Sequence, residues 1–188
     1  MKTAIKFGLS VLVAFALGCT GTKSKLSAEE QQKFDRMVQQ EPIEFEADWA
    51  MPMTTNSINQ ISNAGLLPPG STAGRINLIG NVNYLKIKND SVMAHLPYYG
   101  ERQMGGGYNQ NKTGIQFEGK AKNLEIQKDK KSGGYQIKFN ISEKTEDYQV
   151  SMRVFPNLNT FVNVNSNQRF TISYQGHVKA LSSDEQGK

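Results

Sequence analysis

The sequence predicts a mainly β fold: an antiparallel meander forming a β-sandwich or an open barrel, with one short N-terminal amphipathic helix. Three observations predict it. From Ile115 onward, apolar and polar residues alternate in short stretches, the pattern of strands with one buried face. Turn-forming clusters separate these stretches and leave no room for the crossover helices that parallel strands require. Upstream, a single capped amphipathic segment precedes the first alternating run.

The chain opens on Lys2 and Lys6, followed by an almost wholly apolar run from Phe7 to Leu17 and then Gly18-Cys19. A charged start, a short apolar stretch and a small residue before the cut describe a secretory signal, here 1–18. The run is too short to cross a bilayer, which takes ~20 apolar residues. Phe15-Ala16-Leu17-Gly18-Cys19 resembles a bacterial lipobox, although Ala16 stands where Leu is usual. That resemblance implies cleavage before Cys19, acylation of its thiol and attachment to a membrane. Cys19 is the only cysteine in the chain, so no intramolecular disulfide can form. Residues 19–26 read as a flexible tether. It lacks the acidic cluster of surface-export signals, so the expected location is the outer membrane, facing the periplasm.

The 188 residues suffice for one domain with a sizeable core. Of the 22 basic residues, Lys2 and Lys6 fall in the leader, leaving 20 against 17 acidic. This mild excess is spread along the chain, whereas nucleic-acid binding needs a concentrated basic face. Nucleic acid is therefore not an expected partner.

Ser27 with Glu30 matches a capping box, and the helix over 27–42 places Phe34, Met37 and Val38 on one face until Pro42 stops it. The β domain spans 43–180. In its first strand Ile43, Phe45, Ala47, Trp49 and Met51 share one face, which places Trp49 in the core. Residues 54–80 read as an irregular excursion with one helical turn at most, broken at Pro68-Pro69-Gly70. Two strands then form a hairpin around Lys88-Asn89-Asp90-Ser91. Downstream, Ile115 and Phe117 alternate, as do Leu124 and Ile126. Tyr135, Ile137, Phe139 and Ile141 form one inner stripe, and Tyr148, Val150, Met152 and Val154 the next. Val162 with Val164, then Phe170, Ile172, Tyr174, Gly176 and Val178, complete it. Residues 181–188 are a polar tail.

Leu96-Pro97-Tyr98-Tyr99-Gly100, with the glycine-rich stretch after it, is the densest local cluster of aromatics and glycines. Pro97 ends the strand ladder. Gly105-Gly106-Gly107 lacks the Lys-Ser/Thr of a phosphate-cradling loop. Tyr98, Tyr99, Arg102, Met104 and Tyr108 form a candidate binding loop, with flat tyrosine surfaces and one fixed charge. The same tyrosines could instead belong to the core.

The hairpin Tyr84-Leu85-Lys86-Ile87-Lys88-Asn89-Asp90-Ser91-Val92, the Leu-Pro-Tyr-x-Gly turn at 96–100 and the closing Ile-Ser-Tyr-x-Gly strand at 172–176 carry a family resemblance. With the leader, they make the chain resemble domain of unknown function 4251, a family of small Bacteroidetes envelope lipoproteins. The resemblance covers most of 43–180, with Asn56 to Gly80 as an insertion. It implies an envelope location and a mostly β domain. It brings no activity, cofactor or ligand residues.

Catalysis requires converging groups. His95 and His177, the two histidines, sit out of phase with the inner stripes and are expected to face solvent. Glu101 and Glu118 are ordinary strand-end carboxylates. We expect a non-enzymatic protein with no cofactor and no metal. It would bind a hydrophobic ligand inside a curled sheet or another envelope protein through its surface. A structural or assembly role without a small ligand is the alternative, and an envelope hydrolase is a more remote one. An interior cavity of ~300 Å³ or more, lined by Phe139, Met152 and Phe170, would favour the ligand, and a filled interior the partner protein.

Overall fold

The computed structural model describes residues 26–103 and 114–181. Cys19, most of the tether, Met104, Tyr108 and nearly all of the polar tail lie outside them. Among the described residues the first element is helix α1 (Ala28–Gln40). Ser27 Oγ accepts from the Glu30 amide at 3.2 Å and Glu30 Oε2 accepts from the Ser27 amide at 2.8 Å, so the capping box forms. Phe34 and Val38 are buried and Met37 partly so.

Ten strands follow: β1 (Ile43–Pro52), β2 (Ile76–Asn77), β3 (Tyr84–Lys88), β4 (Ser91–Leu96), β5 (Ile115–Lys120), β6 (Lys122–Lys128), β7 (Tyr135–Glu143), β8 (Glu146–Val154), β9 (Asn159–Ser166) and β10 (Ile172–Ala180). They form one sheet in the order β5-β4-β3-β1-β10-β9-β8-β7-β6, with β2 beside β1. Every pairing is antiparallel. Between a sandwich and a barrel, the arrangement is a nearly closed barrel. The first and last strands of that order, β5 and β6, are consecutive in the chain and separated only by Ala121, whose amide bonds Asp90 O at 2.8 Å. One bent segment therefore joins both edges of the sheet. Across the seam Phe117 packs edge-on against Phe139 and tilted against Tyr148, with centroids 6.2 and 5.4 Å apart.

The inner stripes of β7, β8 and β9 are buried as their alternation predicts. Those of β6 are not. Its Ile126 is exposed, because β6 pairs only with β7 and stands at an edge. Helix α1 covers one end of the barrel: Phe34 packs on Tyr135, and Asp35 accepts from the Tyr135 hydroxyl at 3.0 Å.

Two expectations are corrected in β1 and in the excursion. A β-bulge between Ala47 and Trp49 shifts the register against β10, so Ala50 and Pro52 turn inward and Trp49 and Met51 leave the core stripe. Trp49 is half-buried, with the Arg75 guanidinium 3.9 Å from its ring centroid. Opposite the bulge, a Cβ on Gly176 would lie 1.9 Å from Glu46 O, so only glycine allows this approach. On the other side of β1, Asn83 fills the gap between β3 and β2: its amide accepts from Ala47 N at 2.8 Å and donates to Ala47 O at 3.0 Å. In the excursion, a second helix, α2 (Asn56–Asn63), forms under a Thr55 cap and buries Ile58.

Candidate functional site

β4, β8, β9 and β10 all end or begin at the barrel end opposite α1, and the Leu96–Gly100 turn crosses it. The turn is tightly held. The buried Tyr174 donates its hydroxyl to Pro97 O at 2.7 Å. The Tyr98 hydroxyl lies 2.9 Å from Glu101 O and 3.0 Å from Phe170 O. It passes so close under Gly100 that a Cβ there would meet it at 2.6 Å. Beyond Gly100, the Gln103 amide bonds Gln168 O at 2.8 Å and the Phe170 amide bonds Glu101 O at 3.2 Å, an isolated antiparallel bridge between Arg102 and Arg169. Ser57 and then Thr55, at the start of α2, bond the Glu101 carboxylate and lower its pKa.

Beneath this bridge lies a buried ion pair. Arg169 is 5% exposed and Glu146 6%. Arg169 Nε meets Glu146 Oε1 at 2.7 Å and its terminal nitrogen meets Oε2 at 3.1 Å, a bidentate pairing. Ser166 donates to Oε1 at 2.5 Å and Arg102 to Oε2 at 3.1 Å. Burial opposes ionisation of Glu146, but the bonds from Arg169 and Ser166 outweigh it and hold the carboxyl below its ordinary range. Arg169 also lies 5.1 Å from the Tyr98 ring centroid. Burial raises the Tyr98 and Tyr148 hydroxyls above their ordinary pKa. A network with its polar atoms satisfied fixes geometry, and a carboxylate held ionised on four sides is a poor proton shuttle.

The network floors a depression of about 460 Å³ lined by Arg102, Gln116, Lys144, Thr145 and Gln168. The candidate loop residues thus divide. Tyr98 is half-buried and structural, Tyr99 is half-buried against the core, and Arg102 stands at the rim of the depression. Met104 and Tyr108 lie outside the described residues. His95 and His177 are exposed.

Arg169 and Glu146 are the residues the sequence reading missed. Glu146 carries a signal, since it is in phase with Tyr148, Val150 and Met152 on the inner stripe of β8. Arg169 carries none. The expected inner position was Phe170, which is only half-buried, because the chain between β9 and β10 leaves strand phase and turns Arg169 inward.

Among the described residues, buried side chains fill the barrel interior. Phe139 is 2% exposed, and Met152 and Tyr174 are fully buried in one continuous apolar cluster. These features define a small antiparallel barrel with a filled core, a helix over one end and a bridged tyrosine turn over the other. A family model for a domain of unknown function, DUF4251, matches residues 25–178, and the chain belongs to that family. The crystal structure of a DUF4251 family protein from Bacteroides eggerthii superposes with a TM-score of 0.56 at 15% identity, covering 86% of this chain and 95% of that one. It shares the fold. No curated protein matches the chain. Two of the three motifs that carried the family resemblance, the Leu96–Gly100 turn and the 172–176 strand, meet in space, since Tyr174 bonds Pro97 O.

Proposed function

We propose that the chain is a lipid-anchored, non-catalytic domain of the cell envelope that contacts another envelope protein at its surface, through the end carrying the tyrosine turn. Cys19 would attach it to the outer membrane, with the barrel on the periplasmic side. The observation that carries this reading is the filled interior: Phe139 and Met152, expected to line any ligand cavity, are core residues in mutual contact with their neighbours. Binding is thereby directed to the outside. The end with the tyrosine turn offers a rigid platform with a charged and amide-rich depression, as recognition surfaces built on fixed scaffolds do. The state of Glu146 supports a non-catalytic role, because its carboxylate is fully engaged in holding the turn.

The test is photocrosslinking in intact cells from a reactive residue at Tyr99 and, separately, at Gln168, with Lys86, ion-paired to Glu44 between β3 and β1, as control. A discrete protein adduct from the first two positions and not from Lys86 is expected. Adducts of equal yield from all three, or none from the first two, would overturn the reading.

A further inference from the structure

Two turns lie against each other at the α1 end of the barrel. Asp129–Gly134 joins β6 to β7, and Phe155–Leu158 joins β8 to β9. A Cβ on Gly133 would lie 3.7 Å from Pro156 Cγ. Gln31 Nε2 donates to Gly133 O at 3.2 Å, four residues along α1 from Ser27, or about 6 Å. The helix start to which the tether leads therefore stands beside both turns. From Cys19 to Ser27 the chain reaches at most about 28 Å.

The first turn is basic. Lys130 and Lys131 are exposed at its tip. Its one acid, Asp129, is turned back: Oδ1 accepts from the Lys131 amide at 2.9 Å and Oδ2 from Ser132 Oγ at 2.7 Å. On α1, Asp35 is engaged by Lys128 and Tyr135, and Glu30 by the Ser27 amide. Glu29 and Glu41 are offset on the same helix by Lys33 and Arg36, and the tether adds Lys23 and Lys25.

The second turn is apolar. Phe155 packs edge-on against Phe161, with centroids 6.1 Å apart, and Leu158 is 38% exposed. Leu158 has a φ of 65°, a left-handed conformation that costs a bulky side chain. Three hydrogen bonds pin it there. Its amide donates to Phe155 O at 2.8 Å, and its carbonyl accepts from Val178 N and Thr160 Oγ1, each at 3.1 Å. A large apolar side chain is thus held at a strained, exposed tip where asparagine or glycine would fit without that cost.

We propose that these two turns are the face by which the barrel rests on an anionic phospholipid surface. The proposal rests on the anchored reading above and orients it, with the α1 end towards the bilayer and the tyrosine turn away from it. Apolar tips beside lysines suit the interface, where the tips reach the acyl boundary and the ammonium groups meet phosphates. One exposed leucine and a pair of half-buried rings are too little area for a stable protein interface. A bilayer held within one tether length needs no more, because the anchor supplies the effective concentration.

The test is flotation of chain 20–188, which keeps every described residue but has neither leader nor acylation site. The vesicles are phosphatidylcholine alone, or phosphatidylcholine and phosphatidylglycerol in equal parts. The chain should float with the anionic vesicles, less so in high salt, and not with the neutral ones. Lys130→Glu/Lys131→Glu should lower partitioning at least about tenfold. Lys138→Glu/Lys144→Glu, the same change in net charge on β7 and at the opposite end, should lower it about twofold at most. Leu158→Asn should keep or raise the thermal midpoint, since asparagine tolerates the left-handed backbone, while partitioning falls about threefold. No flotation with anionic vesicles, equal flotation with neutral ones, or equal losses from the two lysine pairs would overturn the proposal. None of these outcomes bears on the anchor, which fractionation of Cys19→Ala in washed membranes tests separately.

Discussion

At Glu146 the physical chemistry of a single group decides what the open barrel end can do. Its carboxyl is held below its ordinary pKa by Arg169 and Ser166 against the cost of burial. The linkage is that of a depressed acid: the stability it contributes is present above its unfolded pKa, near 4.5, and is lost as pH falls through the lower folded value. Urea titrations at pH 7 and at pH 3 should show Glu146→Gln costing clearly more at pH 7. Arg169→Met strips the bidentate partner from a buried carboxylate and leaves it only the more exposed Arg102 as cation, so it should cost up to about 3 kcal/mol at pH 7. Tyr135 has the opposite sign. Burial first, and the Asp35 carboxylate second, push its hydroxyl up to about 12. Its contribution is present below pH 10 and lost as pH rises from there to about 12. Tyr135→Phe should flatten stability across that window, measured by the same titration. At this scale the sequence was least legible. Tyr98 looks like a contact residue in sequence, yet its hydroxyl serves the backbone. Arg169 resembles any turn arginine until its neighbours from β8 and β9 are in place.

The elements were mostly readable, because helix caps and strand alternation are local. Ser27 and Glu30 close α1, and Ser27→Ala should cost about 1 kcal/mol by thermal unfolding. The inner stripes of β7, β8 and β9 are buried because a period of two admits only one burial pattern on a one-sided sheet. What escaped was non-local. The bulge in β1 depends on Gly176, distant in sequence, and on Asn83, whose side chain takes the place of a missing strand partner beside Ala47. No periodicity within Ile43–Pro52 announces either. Asn83→Ala would leave the Ala47 N–H and C=O without this partner and should cost about 1–3 kcal/mol per unsatisfied group. Gly176→Ala should cost more than about 3 kcal/mol, since its Cβ would overlap backbone rather than a flexible side chain. Far-ultraviolet circular dichroism with urea unfolding checks both.

At the scale of the whole molecule, closure was the property the sequence left open. Sandwich and barrel share the same alternation. Only the pairing of β1 with both β3 and β10, and the bend at Ala121 that joins the two outermost strands, decide between them. Closure around Phe139, Met152 and Tyr174 fills the inside, so the proposed recognition falls to the outside of the barrel. Attachment through Cys19 would place that outside near other envelope components. Cys19→Ala should move the protein from the membrane fraction to the soluble one, and persistence in washed membranes would refute the anchor. The claim that recognition is external is tested most directly by native mass spectrometry of the Cys19→Ala chain purified from its own cells. The account predicts a single species at the mass of the polypeptide, with nothing apolar in an organic extract of the folded protein. A stoichiometric hydrophobic molecule that co-purifies, and that is lost on enlarging the core at Val150→Trp in a chain that still folds, would contradict it.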